Sequence, residues 1–179
     1  PPPMAQQFEF PSHYDFPPFF TIQPNQATKT KQLGLWRDLI LRYHTTLKLT
    51  HLTLHDCPLF TNEKIDRSLS SSDIFVIVSD FVKSGNGEWE DEETKTRCRI
   101  LWRKPEQLAE DLYDWAVKSG FVNEVCTMYE LHSGEDVADA SFAGIGEEMI
   151  RRAVNVLEDQ GKATVFKGTT SDEDGVKFL

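Results

Sequence analysis

The sequence lacks the features that mark most enzymes and membrane proteins. It contains no nucleophile motif, no phosphate-binding loop and no glycine-rich dinucleotide fingerprint. No apolar run is long enough to span a bilayer as a helix, and residues 1–4 lack the basic and apolar regions of a signal peptide. We therefore expect a soluble, intracellular protein that is not an enzyme.

Cysteine is scarce as well, and the three present, Cys57, Cys98 and Cys126, are an odd number at wide spacing. Such a pattern is typical of reduced, buried thiols rather than of a disulfide framework or a zinc site. His51 and His55 lie near Cys57, but they alternate with leucines as on a strand, where two such side chains are too far apart for chelation. The sequence therefore predicts neither a metal nor a cofactor.

Negative charge exceeds positive charge, and the excess is concentrated in one half of the chain. Of the net charge of −10, residues 1–25 contribute −2, residues 26–103 contribute +1 and residues 104–179 contribute −9. An acidic surface repels phosphate backbones and attracts a basic peptide or helix. The second half is therefore predicted to face a basic partner.

Aromatic residues beside prolines are the most unusual feature near the start of the chain. Proline fixes φ near −65°, so this composition predicts an extended, polyproline-like ribbon that docks into an aromatic-lined groove of a partner. The alternative is that Phe16, Phe19 and Phe20 pack onto this chain's own first domain, above all Phe20. The candidate docking residues are Phe10, Pro11, Tyr14, Phe16, Pro17, Pro18, Phe19 and Phe20.

Residues 26–103 show the element order of a winged-helix domain: helix, strand, helix, helix and β-hairpin. Thr28 is predicted to cap a first helix that runs to about residue 49. The third helix begins after a run of serines, carries apolar residues at helical spacing from Ile74 and ends at Gly85. The other predicted elements are a strand at residues 52–54, a brief helix at 63–67, and a hairpin that pairs residues 88–90 with 99–102.

Residues 104–179 repeat this order of elements. Pro105 is well placed as the first residue of a helix, which Gly120 ends. The later elements are predicted as an extended stretch at residues 125–131, a short helix or loop at 132–140, a helix at 147–160, and a hairpin that pairs residues 162–166 with 175–179.

A constant offset of 76 residues relates the apolar positions of the two halves. In the first hairpin, Ile100 and Trp102 fall on Val176 and Phe178 at this offset. The prediction is thus an α+β fold of two tandem winged-helix domains, residues 26–103 and 104–179, preceded by an extended proline/aromatic segment at residues 1–25.

Winged helices often bind DNA through a basic third helix and a basic wing. Here the two hairpin tips carry acidic residues at 91–93 and 172–174, and Arg151 and Arg152 on the second domain's third helix are surrounded by carboxylates. Nucleic-acid binding is therefore kept only as an alternative.

Several short motifs together point to a known family. They are Phe8-Glu9-Phe10-Pro11, the run Phe-Pro-Pro-Phe-Phe-Thr-Ile-Gln-Pro-Asn at residues 16–25, Lys-Gln-Leu at 31–33, Ile-Leu-Trp-Arg-Lys-Pro-Glu at 100–106, Tyr-Glu-Leu at 129–131 with Gly-Glu-Asp at 134–136, and Gly-Val-Lys-Phe at 175–178. With them the chain resembles the vacuolar protein-sorting-associated protein 25 family, the smallest subunits of the ESCRT-II complex.

The resemblance implies a non-catalytic scaffold for sorting ubiquitinated membrane proteins into multivesicular bodies. It implies a cytoplasmic protein that is recruited to the endosomal membrane and meets the membrane only indirectly. Two copies would sit on a core of two larger subunits, docked through the N-terminal segment and the first winged helix. The family's proline motif is Pro-Pro-x-Tyr-like, whereas this chain has Phe20 at the aromatic position, so docking is expected to depend on apolar burial.

The resemblance also implies that the second winged helix recruits the ESCRT-III subunit that initiates polymer assembly. The acidic character of residues 104–179 suits a basic helix in that partner. We place the contact at Met128, Tyr129, Asp172, Glu173 and Asp174. The alternative function is a general peptide-binding adaptor whose residues 16–20 are the ligand of a WW-type domain.

Overall fold

The computed structural model describes residues 8–179, which form two compact units divided in sequence between Trp102 and Arg103. Residues 1–7 of the predicted N-terminal segment lie outside the described part. Each unit combines helices with a small antiparallel sheet, as expected for the α+β class. Within residues 8–179, no helix has both the length and the apolar character needed to cross a bilayer.

The first unit packs two helices against a three-stranded sheet. Its elements are α1 (Gln26–Thr46), β1 (His51–Thr53), β2 (Thr61–Asn62), β3 (Arg67–Ser68), α2 (Ser71–Lys83), β4 (Gly87–Trp89) and β5 (Arg97–Ile100). The strands β1, β5 and β4 form an antiparallel sheet in that order. Trp36 on α1 and Phe81 on α2 are fully buried in its core, and burial of each such side chain contributes about 1.5–3 kcal/mol to folding.

Several element boundaries in this unit differ from the prediction. The Asn25 side chain, not Thr28, caps α1, because it accepts a hydrogen bond from the Thr28 amide at 3.1 Å, and the helix begins at Gln26. The helix ends at Thr46, before Lys48 adopts a left-handed φ of 57°. The predicted brief helix at residues 63–67 is a 3₁₀ turn, Glu63–Ile65, which connects the short strands β2 and β3.

The second unit repeats the plan of helices on a three-stranded sheet. Its elements are α3 (Pro105–Ser119), β6 (Val125–Thr127), α4 (Met128–Ser133), α5 (Glu147–Asp159), β7 (Ala163–Phe166) and β8 (Gly175–Phe178). The sheet order is β6-β8-β7, so the return strand of the hairpin is central, as in the first unit. Gly120 ends α3 with a φ of 79°, a conformation that glycine adopts without a steric penalty.

The prediction that residues 125–131 are extended was wrong for the second half of that stretch. The strand β6 stops at Thr127 because this residue caps α4. The Thr127 hydroxyl accepts from the Glu130 amide at 3.2 Å, and the Glu130 carboxylate accepts from the Thr127 amide at 2.6 Å. The Thr-x-x-Glu spacing is the capping-box signature, which was readable in the sequence.

The offset of 76 residues holds for part of the repeat only. It maps α2 onto α5 residue by residue. In the sheets, however, Gly87 pairs with Ile100, whereas its equivalent Ala163 pairs with Phe178, so the return strand is shifted by 78. The second hairpin is two residues longer, and because strand side chains alternate with period two, this shift leaves the same face inward.

Candidate protein-interaction surfaces

The N-terminal segment is not the extended ribbon that was predicted. It forms two 3₁₀ turns, Ser12–Asp15 and Pro17–Phe20, joined by Phe16 in an extended conformation. Proline's φ near −65° is shared by the polyproline and 3₁₀ conformations, so it does not choose between them. The choice depends on the aromatic side chains that follow the prolines.

Phe19 and Phe20 pack into the core of the first unit, which supports the self-packing alternative for these two residues. They are 4% and 2% exposed. The Phe19 ring stacks on the Trp36 ring with centroids 4.2 Å apart and planes 6° apart, and Phe20 meets Trp36 edge-on at 5.5 Å. Aromatic pairs in such arrangements contribute about 0.5–1.5 kcal/mol beyond the area they bury.

A buried glutamine, Gln32 on α1, holds the backbone of this segment. Its side-chain NH₂ donates to the carbonyls of Phe19 at 3.0 Å and Thr21 at 2.8 Å, and its oxygen accepts from the Gln23 amide at 3.1 Å. The Trp36 indole also donates to the Phe19 carbonyl, at 3.1 Å. Because buried polar backbone groups need partners, these bonds fix the segment in one conformation.

Tyr14 is also turned inward rather than towards a partner. Its hydroxyl donates to the carbonyls of Leu59 at 3.0 Å and Thr61 at 3.1 Å, and Asn62 donates to the Tyr14 carbonyl at 2.9 Å. Burial raises the pKa of the Tyr14 hydroxyl well above its usual range, so it remains a donor. Tyr14 therefore positions the segment on the first unit.

The remaining candidates face outward. Phe16 is 59% exposed and Phe10 is 42% exposed, while Pro17 and Pro18 are exposed and Pro11 is half-buried. Phe16 stands beside a hollow of about 340 Å³, which we call the Phe16 groove; its other lining residues are His13, Pro18, Phe19, Gln23, Thr28, Lys31, Gln32 and Leu35. The sequence prediction missed the contributions of His13 and α1 to this surface, because they depend on how the turns pack.

His13 is one of the polar residues that line this groove. Its Nε2 atom is buried and has no hydrogen-bond partner among residues 8–179, and its ring meets the Phe19 ring edge-on at 5.0 Å. Burial, with the nearby Arg42 guanidinium, lowers the pKa of His13.

In the second unit, two of the five predicted contact residues are buried. Met128, the first residue of α4, is fully buried, and Asp174 is 4% exposed. In this conformation neither side chain is exposed to a partner, so their predicted contact stays a prediction. Met128 is apolar and starts a helix whose inner face closes the core, while Asp174 serves as an internal acceptor.

Asp174 organises residues 167–174, which connect β7 to β8. Its carboxylate accepts from the Gly168 amide at 2.9 Å, from the Arg151 guanidinium at 2.8 Å and from the Lys167 amine at 3.4 Å. These bonds, the first of them above all, lower the pKa of Asp174 from 3.8 to about 2. Sequence reasoning grouped Asp174 with the exposed acids because nothing local distinguishes it from Asp172.

This network predicts acid sensitivity that depends on one carboxylate. Because the pKa of Asp174 is lower in the folded chain than in the unfolded chain, its stabilisation is complete above about pH 4 and is lost as the pH falls towards 2. Asp174→Asn removes this titration. Urea midpoints followed by circular dichroism from pH 7 to pH 2 should therefore fall less steeply for the variant than for the parent between pH 4 and pH 2. Equal slopes would show that the carboxylate is not linked to folding.

The exposed part of the predicted contact is Tyr129, Asp172 and Glu173. Tyr129 is 53% exposed and meets the His132 ring edge-on at 5.5 Å, and His132 in turn contacts Asp172 at 3.1 Å. These contacts connect the exposed face of α4 to the acidic residues 172–174, which we call the acidic turn. Tyr129 and the acidic turn, the two parts of the predicted contact, thus belong to one surface.

Two exposed apolar side chains on the same unit were not predicted. Val125 is 61% exposed and Phe166 is 49% exposed. A Cβ built on Gly175 would lie 3.3 Å from Val125 Cγ1 and 3.6 Å from Phe166 Cβ, so these two side chains flank the glycine on the outer face of the sheet. Strand alternation could have identified both as outward-facing.

One group of side chains has the types and spacing that could hold a metal. His132, Glu147 and Asp172 place ligand atoms within 4.8 Å of one another. However, Glu147 already accepts from Arg151 at 3.0 Å, and His132 and Asp172 contact each other. The group is accounted for as an ion-pair network, and we assign no metal to it.

The cysteines are not reactive groups. Cys57, Cys98 and Cys126 are free thiols, and burial raises the pKa of each to about 12. A thiol with such a pKa remains protonated and is a poor nucleophile and metal ligand.

The exposed aromatic, apolar and acidic surfaces on two small α+β units define a protein-interaction subunit. A family model described as "ESCRT-II complex subunit" matches residues 13–146. The chain belongs to this family of ESCRT-II subunits, which includes vacuolar protein-sorting-associated protein 25. The resemblance inferred from the motifs is thereby confirmed, as is the expectation of a complex subunit rather than an enzyme.

Known relatives agree along nearly the whole chain. The chain is 43% identical to vacuolar protein-sorting-associated protein 25 of Danio rerio, over 96% of this chain and 99% of that protein. It is similar to the crystal structure of subunit VPS25 of the endosomal trafficking complex ESCRT-II, with a TM-score of 0.80 and 32% identity over 95% of this chain and 98% of that one. It is also similar to a chain in the crystal structure of the ESCRT-II complex VPS22/VPS25/VPS36, with a TM-score of 0.74 and 31% identity over 94% of this chain and 98% of that one. The likeness confirms the α+β fold class.

Proposed function

We propose that this chain joins two larger ESCRT-II core subunits through its N-terminal segment and first unit, and recruits an ESCRT-III initiator through its second unit. Two copies bind each core. The assembled complex acts from the cytoplasm at the endosomal membrane, to which this chain is connected only through its partners. There it contributes to sorting ubiquitinated membrane proteins into multivesicular bodies.

The observation that carries the docking proposal is the exposure of Phe16 beside the Phe16 groove. The rest of the segment is fixed by buried aromatic rings and by Gln32, so Phe16 is presented on a rigid platform. A docking residue that is already ordered loses little conformational entropy on binding. The partner would cover the Phe16 ring and the groove.

Phe16→Ala should lower the affinity for the core subunits by at least about tenfold, as expected for an aromatic at the centre of an interface. The chain's melting temperature should be nearly unchanged, because the side chain is 59% exposed. Mixing the chain with the two core subunits and measuring the mass of the product by light scattering tests both the docking and the ratio of two copies per core. Phe75→Ala, which removes another exposed aromatic, is the control and should assemble normally. Full assembly of Phe16→Ala would remove this surface from the interface.

The second unit combines acidic and apolar surface in the way a basic amphipathic helix requires. Asp172 and Glu173 are exposed near Tyr129, and Val125 and Phe166 add exposed apolar area on the same unit. The charge of −9 on residues 104–179 would steer such a helix towards the unit. We therefore assign the ESCRT-III contact to Tyr129, Asp172 and Glu173.

Charge reversal of the acidic turn tests this assignment. Asp172→Lys with Glu173→Lys should slow association with the ESCRT-III initiator and flatten its dependence on salt, because steering acts mainly on the association rate. Stopped-flow fluorescence at several salt concentrations measures both effects. Glu110→Lys with Asp114→Lys changes the net charge equally on the exposed face of α3 and should have a smaller effect. If the two pairs slow association equally, only overall charge is involved.

The WW-ligand alternative loses its structural basis. A WW-type domain binds a polyproline helix, whereas residues 17–20 form a 3₁₀ turn with Phe19 and Phe20 buried. Binding in that mode would require the segment to leave the core of the first unit.

A further inference from the structure

An aromatic pair with one exposed and one half-buried ring lies on the first unit, away from the Phe16 groove. Phe75 on α2 is 44% exposed, and its ring stacks on Trp89 of β4 with centroids 6.1 Å apart and planes 16° apart. In helix-turn-helix DNA-binding proteins, an exposed face of the recognition helix enters a DNA groove. The exposed face of α2 instead carries the apolar Phe75 ring, which indicates a ligand other than DNA.

Two hollows of about 350 and 360 Å³ adjoin the Phe75 ring, and both are lined by Phe75, Ser79 and Lys83. The first extends to Lys29 and Leu33 of α1, and the second extends to Trp89 and Lys95. Together they form one continuous surface, which we call the Phe75 groove. Each hollow is large enough for one bulky apolar side chain.

The charges around this groove are not balanced. Its two carboxylates are already paired, Asp80 with Arg37 at 2.8 Å and Glu92 with Lys95 at 3.8 Å. Lys29 and Lys83 have no ion-pair partner within residues 8–179. In a chain of net charge −10, this is a local excess of positive charge beside an apolar surface, and it favours a ligand that carries carboxylates.

The Phe75 groove is separate from the Phe16 groove. Thr28, Gln32 and Leu35 of α1 line the Phe16 groove, whereas Lys29 and Leu33 line the Phe75 groove. These two sets occupy different faces of one helix. Contacts made at the Phe16 groove alone therefore do not cover the Phe75 groove.

We propose that the Phe75 groove binds an acidic peptide segment of another protein. Bulky apolar side chains of the segment fill the hollows that adjoin Phe75, and its carboxylates pair with Lys29 and Lys83. Nucleic acid fits less well, because its phosphates and sugars would leave the hollows beside Phe75 and Trp89 without an apolar side chain to fill them.

Selection of random twelve-residue peptides displayed on phage, with the full chain as target, tests the proposal. Enriched peptides should combine aspartate or glutamate with leucine, phenylalanine or tryptophan. Fluorescein-labelled copies, followed by anisotropy, should bind Phe75→Ala and the double variant Lys29→Glu, Lys83→Glu at least tenfold more weakly than the parent. Phe16→Ala is the matched control and should bind as the parent does. Circular dichroism should show that all the variants remain folded, since the replaced side chains lie at the surface.

Three results would overturn the proposal. One is a selection that yields no peptide whose binding depends on Phe75. Another is enrichment of basic or purely polar peptides. The third is a fluorescein-labelled twenty-base-pair DNA duplex that binds the parent more tightly than the peptides do and loses affinity in the lysine variant, which would assign the surface to nucleic acid. Loss of peptide binding by Phe75→Ala with normal assembly on the core subunits would separate this site from the docking proposed above.

Discussion

Phe20→Ala should lower the free energy of unfolding by about 3–5 kcal/mol, the range for truncating a buried phenylalanine. The Phe20 ring is 2% exposed and lies 5.4 Å from Tyr14 and 5.5 Å from Trp36, so its removal leaves a cavity between the segment and α1. The loss is a large share of the 5–15 kcal/mol that stabilises a typical domain. Urea denaturation followed by tryptophan fluorescence, with Trp36 as the nearest reporter, measures it.

Phe16→Ala is the control in the same turn, because it removes the same side chain from an exposed position. It should change the free energy of unfolding by less than about 0.5 kcal/mol. The two variants thus separate folding from docking. If Phe20→Ala were as stable as Phe16→Ala, the segment would not be packed on the first unit in solution, and an extended docking ribbon would again be the better interpretation.

The backbone conformation of the N-terminal segment could be predicted from the sequence only as far as proline restricts the backbone angles. Pro17 and Pro18 restrict φ but leave ψ to the neighbours, and ψ is what separates a polyproline ribbon from a 3₁₀ turn. The deciding contacts, Phe19 on Trp36 and Gln32 on the backbone, join residues 9 to 17 positions apart. Composition identified the segment, but only packing shows which of its aromatic residues face outward.

The repeat that relates the two units shows a similar limit to what the sequence can predict. Helical periodicity gave the positions of α2 and α5, because their buried residues recur at fixed spacing. The offset of 76 also matched Ile100 to Val176, although the sheet register aligns Ile100 with Phe178. The alternation of side chains along a strand shows only whether a shift is by an odd or an even number of residues. A shift of two residues therefore cannot be detected from the apolar pattern alone.

In the second unit, the sequence grouped buried and exposed residues that are adjacent in the chain. Asp172 and Asp174 look alike in composition, yet one is exposed and the other is held by Arg151 and the Gly168 amide. The partners that bury Asp174 come from α5 and from the start of its own turn. The local sequence pattern therefore identified the acidic turn, but it could not show which of its carboxylates are exposed.

Met128→Ala should destabilise the second unit by about 2–5 kcal/mol, because the side chain is fully buried. Met128 begins α4, and its amide donates to the Asp174 carbonyl at 2.8 Å, so the helix start and the acidic turn should loosen together. Hydrogen exchange followed by mass spectrometry on peptides from residues 125–179 measures this effect in the second unit alone. Amides of α4 and β8 should exchange faster, while those of the first unit should not change.

Tyr129→Ala, one residue further along α4, is the matched control. Its side chain is 53% exposed, so exchange should change little, whereas affinity for the ESCRT-III initiator should fall by about tenfold if Tyr129 belongs to the contact. Met128→Ala, in contrast, should weaken binding only to the extent that it unfolds the unit, and lowering the temperature should restore it. Normal exchange with lost binding in Met128→Ala would contradict this, since it would mean that Met128 reaches the partner and that α4 rearranges on binding.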